Sequence, residues 1–558
     1  MKIIALVALG MGLCFGQTPT PAPTHKHYAD EGREQTPSPT GALAPRLQNL
    51  GVHAFEVSTA SAQAQLFFNQ GLNLAYGFNH PEAARAFAEA ARLDPALAMA
   101  HWGLALVLGP NINSPMDPAD EPKARDAIQR AIALKGHATE RERDYIDALA
   151  ARYTGRPADR AQADRAFANA MGALSRKYPG DHDARTLYAE ALMDLRPWNY
   201  WTRDGKPYTE TTDAIGSLDA VLAAHPTHPG ALHYWIHLWE PTDTPERAEA
   251  AADRLLPLMP GAGHIVHMPA HIYARVGRHN DVVTSNLAAE KADEEYITLC
   301  RAQGIYPLAY YPHNTHFVWM GASASGQGAV AMRAAAKLAA FVSDKTDMLA
   351  ALPFLQLFAV TPYWTMVTFE RWDDMLASGE PTVRTPFVDA AWHYARARAF
   401  VGKGRADQAA EALSQLRASI AADTFNAQSG FTTNTGAAIL RIGAEIVEGE
   451  IAAARKDYDR AMLHLDRAIR YEDALVYQEP ADWPHSARLI AGRVLLEAGR
   501  PDEAEVLFWE DLRRVPETGW ALSGLKRALE AQGKKDDAAL VHARLDKAWR
   551  FADVALAK

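Results

Sequence analysis

The chain has 558 residues, of which 48% are hydrophobic, so it is long enough to bury an extended core. Its net charge of −10 and the lack of a basic cluster argue against nucleic acid as a partner. After the N-terminus, no stretch approaches the roughly 18 uncharged apolar residues that would cross a bilayer, so we expect a soluble mature protein without a membrane span.

The N-terminus has the pattern of a secretory signal peptide at residues 1–16. Lys2 supplies positive charge, residues 3–13 are apolar, and a small-x-small cleavage site precedes Gln17. We therefore expect a periplasmic or secreted protein. A lipoprotein anchored through Cys14 is the weaker alternative, because the preceding residue, Leu13, is a poor match to the small residue that lipoprotein processing requires.

Residues 17–45 are rich in Pro, Thr and Ala, which predicts a disordered linker. Once Cys14 is removed with the signal peptide, Cys300 is the only cysteine. An internal disulfide is therefore excluded, and packing has to stabilise the fold.

Helical repeats of about 34 residues begin at Ala64. In each unit, small or apolar residues at positions 8, 20, 24 and 27 let two helices approach, and a proline at position 32 ends the second helix. The first unit contains Gly71, Ala83, Phe87, Ala90 and Pro95 at these positions. A unit that starts at His485 contains Gly492, Ala504, Phe508 and Pro516.

This pattern resembles the tetratricopeptide repeat (TPR) superfamily over most of residues 64–552. Residues 77–83, 263–273 and 520–525 also resemble exported bacterial TPR proteins that are described only by their repeats. The resemblance implies an all-α fold, a right-handed superhelical solenoid of TPR-like helix pairs whose first helices line a concave groove. It implies no activity.

Two solenoid domains are expected along the mature chain. Residues 46–345 would form an N-terminal TPR-like solenoid that carries a histidine-rich site. Residues 346–558 would form a C-terminal TPR solenoid, whose repeats offer a surface for a protein partner.

Ten of the 21 histidines lie between His225 and His316, where an even spread predicts about 3.5. Seven of them fall at positions 2, 5 or 9 of consecutive repeats and so share one face of the first helices. These seven are His233, His237, His264, His267, His271, His313 and His316. The remaining three, His225, His228 and His279, fall in turns or off this face, and we assign them local roles.

Two pairs of these histidines have the i, i+4 spacing that lets both rings reach one metal ion. The spacing is similar to that of the helix-borne paired copper centres of tyrosinases and hemocyanins. On that similarity, His233, His237 and His264 would hold one ion, and His267 and His271, with either His313 or His316, would hold the other. Imidazole ligands suit copper, zinc or iron, and we expect copper.

Three further features bear on this site. Pro269 either interrupts the helix of the second pair or begins it, with His264 and His267 in the preceding turn. Glu240, at position 12 of the same face, is the candidate catalytic residue, and it could act as a general base, a metal ligand or a partner that orients a histidine. The aromatic insertion at residues 197–201 could fold over the groove.

The leading expectation is an exported oxidative copper enzyme, mononuclear or dinuclear, that acts on a small or aromatic substrate in the groove. Three alternatives stay open: a zinc or iron hydrolase that uses Glu240, a copper-binding protein without catalysis, and a scaffold that binds a peptide or protein.

Overall fold

The computed structural model describes residues 41–153, 159–302, 306–350, 352–422 and 434–556. The predicted signal peptide at residues 1–16 and the predicted linker up to residue 40 lie outside these ranges. Within them the protein is all-α, and β-pairing is limited to two isolated bridges, one between Asn111 and Ser114 and one between Trp201 and Pro207, which confirms the predicted fold class. In the described part, none of the helices has the length and hydropathy needed to span a membrane.

The helices up to residue 300 are α1 (Ala62–Tyr76), α2 (His80–Leu93), α3 (Ala98–Val107), α4 (Glu121–Ala133), α5 (Glu140–Tyr153), α6 (Arg160–Lys177), α7 (His182–Met193), α8 (Thr209–Ala224), α9 (Pro229–Trp239), α10 (Glu249–Leu255), α11 (Gly263–His267), α12 (Pro269–Arg275) and α13 (His279–Cys300). Short 3-10 segments lie at Lys135–His137 and Pro245–Ala248.

The later helices are α14 (Tyr311–Ala324), α15 (Gly328–Ser343), α16 (Leu355–Ala359), α17 (Thr361–Thr368), α18 (Trp372–Ala377), α19 (Pro386–Gly402), α20 (Ala406–Ala421), α21 (Gly436–Ala454), α22 (Tyr458–Asp473), α23 (Ala487–Glu497), α24 (Pro501–Arg514), α25 (Gly519–Ala531) and α26 (Lys535–Ala548). A π-helical turn precedes them at Tyr306–Tyr310, and a 3-10 segment lies at Thr346–Met348.

The described residues form two compact units. Unit 1 contains the residues up to Ile272 together with Ala288–Tyr311, and unit 2 contains Tyr273–Leu287 and the residues from Pro312 onwards. The predicted domain boundary after residue 345 and the right-handed superhelix stay predictions.

A phenylalanine between two glycines forms the same helix-pair contact in both units. In unit 1, a Cβ at Gly71 or at Gly103 would come within 2.8 or 2.5 Å of the Phe87 ring. The same contact recurs in unit 2, where Phe508 would meet a Cβ at its two flanking glycines at 2.7 and 2.4 Å. Successive helices therefore pack closely because these glycines have no side chain, as the TPR pattern predicts.

The segment before α1 is irregular and lies along that helix. The side chain of Gln70 accepts a hydrogen bond from the backbone N–H of Leu47 and donates one to the carbonyl of Pro45, both at 2.9 Å. The side chain of Asn73 donates to the carbonyl of His53, also at 2.9 Å. These bonds fix His53 beside the C-terminal half of α1.

Candidate metal centre

Helix α9 carries His233 and His237, which are fully buried one turn apart. Nδ1 of His233 donates a hydrogen bond to the backbone carbonyl of Tyr76, at 2.6 Å. Because a carbonyl oxygen can only accept, Nδ1 carries the ring proton and Nε2 presents a lone pair. Gly230 permits this close approach of α9 to α1, since a Cβ there would come within 2.4 Å of the Tyr76 ring.

Glu240 holds one histidine from each of the two predicted pairs. Nδ1 of His237 donates to its Oε1 at 2.8 Å, and Nδ1 of His271 lies 2.5 Å from its Oε2. Burial opposes ionisation of this fully buried side chain, but His271 and His237 outweigh burial and lower the pKa of Glu240 to about 2. The carboxylate is therefore ionised, and it fixes the proton of each histidine on Nδ1.

The two Nε2 atoms of His233 and His237 lie 3.0 Å apart. Because both rings carry their proton on Nδ1, these two nitrogens face each other with lone pairs. Protonating either ring would relieve the repulsion, but burial lowers the pKa of His237 and lowers that of His233 well below its ordinary value. A metal ion between the two nitrogens satisfies both lone pairs without placing a proton in the core.

His264, on α11, completes a group of three imidazoles with His233 and His237. One nitrogen from each ring lies within 4.8 Å of the others. Both ring nitrogens of His264 are buried without a hydrogen-bond partner, and burial, reinforced by His233 and His267, lowers its pKa well below the ordinary value. We call His233, His237 and His264 the imidazole cluster.

Gly263 determines where His264 lies. A Cβ at Gly263 would come within 1.9 Å of a carboxylate oxygen of Asp293, so this carboxylate occupies the space of a side chain. The hydroxyl of Tyr306 donates to Asp293 at 2.8 Å and accepts from the backbone N–H of His264 at 3.3 Å. The glycine therefore admits the carboxylate and tyrosine that hold the start of α11.

The second predicted pair, His267 and His271, spans a break in the helix. Helix α11 ends at His267, Met268 follows, and Pro269 is the first residue of α12, so the proline separates two short helices. The Nε2 atoms of the pair nevertheless lie 2.9 Å apart. The two ring nitrogens therefore lie close together despite the proline, and one metal ion could contact both.

The two remaining predicted ligands lie in unit 2. His313 packs edge-on against Phe317, with 4.9 Å between ring centroids. His316 stacks on Trp319 at 5.2 Å, and burial lowers its pKa to about 3. Their participation in a metal site with the histidines of unit 1 stays a prediction.

Aromatic side chains enclose the imidazole cluster. Phe78, between α1 and α2, has a left-handed backbone with φ of 55°. Its ring centroid lies 4.5 Å from that of His233, 5.8 Å from His237 and 5.7 Å from His264. Trp198, in the insertion at residues 197–201, packs edge-on against His237 at 5.1 Å. The insertion therefore does cover part of the site.

The spacing of the histidines does not predict a role for Phe78 or for the carbonyl of Tyr76. A signal was present for Phe78, since it lies within residues 77–83, one of the segments that resembles exported TPR proteins. No such signal marks the carbonyl of Tyr76 in the sequence, because every residue has a backbone carbonyl.

No protein-family model matches the chain, and no curated protein matches it. The solved structures that it is similar to include the human IFIT1 dimer with m7Gppp-AAAA, at 14% identity over 82% of this chain and 90% of that chain, with a TM-score of 0.32. Yeast Tom70 aligns at 10% identity over 88% and 93%, with a TM-score of 0.25. The P58(IPK) TPR domain aligns at 11% over 85% and 99%, with a TM-score of 0.24. At such low values, the TPR-like fold rests on the helix pairs themselves.

Proposed function

We propose that this chain is an exported metalloprotein that holds a copper ion in the imidazole cluster and uses it to oxidise a small aromatic substrate. One observation carries the metal site: the 3.0 Å between the Nε2 atoms of His233 and His237, whose Nδ1 atoms are both committed as donors. Two buried lone pairs at this distance need a shared cation.

The choice of copper follows from the donors. The cluster consists of nitrogen ligands alone, and among divalent first-row ions copper binds such sites most strongly. Two nitrogens 3.0 Å apart could both contact one ion at the usual metal–nitrogen distance of about 2.0–2.1 Å.

Catalysis is proposed because three protein ligands leave a coordination position for another molecule. The rings of Phe78, Trp198 and Tyr310 lie around the histidines and give this position apolar, aromatic walls. A phenol or a catechol fits such surroundings. The His267/His271 pair offers a place for a second ion of the same kind.

The geometry favours this function over the hydrolytic alternative. A general base needs a free carboxylate oxygen, whereas both oxygens of Glu240 lie against Nδ1 atoms of His237 and His271. Glu240 is thus placed to orient ligands. The scaffold alternative is supported by the TPR-like fold alone, and it does not explain the buried lone pairs of His233 and His237.

The first test is elemental analysis of the mature protein, purified without an affinity tag and reconstituted with Cu²⁺. We expect one copper ion for the imidazole cluster and its loss in the double variant His233→Ala/His237→Ala. The matched control is His464→Ala/His542→Ala, because these two histidines lie outside the cluster, paired with Glu445 and Asp546. Equal copper in wild type and the cluster variant would contradict the site.

The second test separates catalysis from storage. We expect the copper-loaded protein to consume dioxygen with catechol, two catechols being oxidised to quinones for each dioxygen that is reduced to two water molecules. The cluster variant should not do so, and the control variant should match wild type. Stoichiometric copper without oxygen consumption would favour the copper-binding alternative.

A further inference from the structure

Three side chains converge on one carboxylate oxygen, Oδ1 of Asp183, at a second place in unit 1. The hydroxyl of Tyr76 donates to Oδ1 of Asp183 at 2.6 Å. Nε2 of His53 lies 2.9 Å from the same oxygen, and Nε2 of His228 lies 3.3 Å from it. We call Tyr76, His53, His228 and Asp183 the Asp183 cluster. Its members come from the segment before α1, the end of α1, the first turn of α7 and the residue before α9.

This arrangement has hydrogen bonds of its own, but they exceed the number that one oxygen ordinarily accepts. A carboxylate oxygen offers two lone pairs, whereas three groups crowd Oδ1 of Asp183. A cation near Oδ1 would explain why two imidazole nitrogens and a phenol oxygen point to the same place. The ligand nitrogens of His53 and His228 and the carboxylate oxygen also lie within 4.8 Å of one another.

The negative charge of Asp183 also favours a bound cation. The residue is only 9% exposed. Burial opposes its ionisation, but hydrogen bonds from His228 and His53 outweigh burial and hold the pKa of Asp183 far below its ordinary value. Among the residues that the structure describes, its ion pairs are with these two histidines and with no lysine or arginine. The buried negative charge thus lacks a permanent cationic side chain.

We propose that the Asp183 cluster is a separate binding site for a divalent cation of the zinc class. The ligands are Nε2 of His53, Nε2 of His228 and the carboxylate of Asp183, with the hydroxyl of Tyr76 beside them. Two imidazoles and one carboxylate are a donor set that Zn²⁺ and Fe²⁺ accept. This site does not depend on the proposed function of the imidazole cluster.

One existing hydrogen bond would be lost when an ion binds at this site. Nδ1 of His228 accepts a hydrogen bond from the backbone N–H of Ala231, at 3.2 Å, and so caps α9. An ion on Nε2 moves the ring proton to Nδ1 and breaks this cap. Losing one cap weakens only the first turn of α9, whereas an ion held by three ligands would stabilise all the segments that carry them. The cap therefore does not prevent binding.

Access and further ligands are available. The side chains of His53 and Asp183 retain 11% and 13% exposure, so the site is near the surface. The ring of His225 lies 6.3 Å from that of His53, and the ring of His182 lies 5.8 Å from that of His225. Nδ1 of each of these rings is buried without a hydrogen-bond partner. The ring of His225, which also lies 5.7 Å from that of His228, is near enough to offer a further ligand.

The test is zinc stoichiometry in the full chain after removal of the other histidine ligands. In a variant with His233, His237, His264, His267 and His271 changed to alanine, equilibrium dialysis against Zn²⁺ should find one ion per chain. Adding His53→Ala and Asp183→Asn should abolish it, and Co²⁺ should give an absorption spectrum only in the first of these variants. No bound zinc in the folded first variant, or zinc retained in the second, would overturn the proposal.

A single substitution covers the case in which the multiple variant does not fold. His53 lies outside the helices and is partly exposed, so His53→Ala should leave the helical circular dichroism unchanged. We expect it to lower the zinc content of the otherwise native protein by one ion per chain. The control His542→Ala, which changes an exposed histidine on α26, should retain that ion. Unchanged zinc in the His53 variant would overturn the proposal.

Discussion

The imidazole cluster and the Asp183 cluster lie in the same unit but differ in what faces the histidine nitrogens. In the imidazole cluster, lone pairs of His233 and His237 face each other, and the ring nitrogens of His264 have no hydrogen-bond partner. In the Asp183 cluster, a carboxylate oxygen stands between the rings of His53 and His228. The first arrangement is unsatisfied without an ion, whereas the second has hydrogen bonds of its own.

This difference has consequences for the metal and for its exchange. Nitrogen donors alone favour copper, whereas the mixed nitrogen and oxygen donors of the Asp183 cluster favour zinc or ferrous iron. The histidines of the imidazole cluster are at most 3% exposed, so its ion should exchange slowly. The Asp183 cluster is nearer to the surface and should exchange its ion faster. Tyr76 serves both clusters, the first through its carbonyl and the second through its hydroxyl.

The largest effect should come from removing the negative charge of the Asp183 cluster in protein stripped of metal. Asp183→Asn should lower the free energy of unfolding at pH 7 by about 3 kcal/mol, because it breaks a buried set of charge-assisted hydrogen bonds. The matched control is Asp219→Asn, an exposed position on α8. Denaturant unfolding of both variants in a chelator measures the difference.

The same variant gives a pH dependence whose sign follows from the lowered pKa of Asp183. A carboxyl group with a depressed pKa in the folded state stabilises that state above its ordinary pKa of about 3.9, and the contribution is lost as the pH falls towards the folded value. The difference between wild type and Asp183→Asn should therefore be largest near neutral pH and shrink below about pH 4. A difference that grew in acid would contradict ionised Asp183.

The next largest effect should come from the loss of the Glu240 carboxylate at the imidazole cluster. Glu240→Gln replaces the carboxylate that accepts Nδ1–H from His237 and faces Nδ1 of His271 with an amide that can accept only through Oε1. We expect copper affinity to fall about 10–100-fold, as is usual when the partner of a ligating histidine is lost. Zinc binding at the Asp183 cluster should not change. Competition with a chelator measures both, and Glu246→Gln, at an exposed position, is the control.

The imidazole cluster could be predicted from the sequence because its members follow a period. His233, His237 and His264 recur at fixed positions of consecutive repeats, and the repeat is visible in glycine, alanine and phenylalanine spacing before any histidine is considered. The structure brings these three together on α9 and α11. It also shows that Pro269 separates two short helices, a point on which the spacing left two alternatives.

The Asp183 cluster could not be predicted in this way. His53 comes from an irregular segment, Asp183 from the first turn of α7, and His228 from the residue that caps α9. No period relates residues that far apart in the chain, and the local role assigned to His228 is in part correct, since its ring does cap the helix. The three side chains meet because α9 packs on α1 and on α7, and because the segment that carries His53 is held along α1.

The smallest effect should come from the loss of the Tyr76 hydroxyl. Tyr76→Phe removes the hydroxyl that donates to Asp183 but keeps the backbone carbonyl that accepts from His233 and the ring that packs on Gly230. A hydrogen bond to a charged group contributes about 1.5–3 kcal/mol, and the lower end of that range corresponds to the fall of about 10-fold that we expect in zinc affinity at the Asp183 cluster. Copper affinity at the imidazole cluster should stay at the wild-type value. Titration of one variant with each ion is the measurement. Equal losses for both ions would mean that the two clusters behave as one site, and that the side chain of Tyr76, and not only its carbonyl, positions His233.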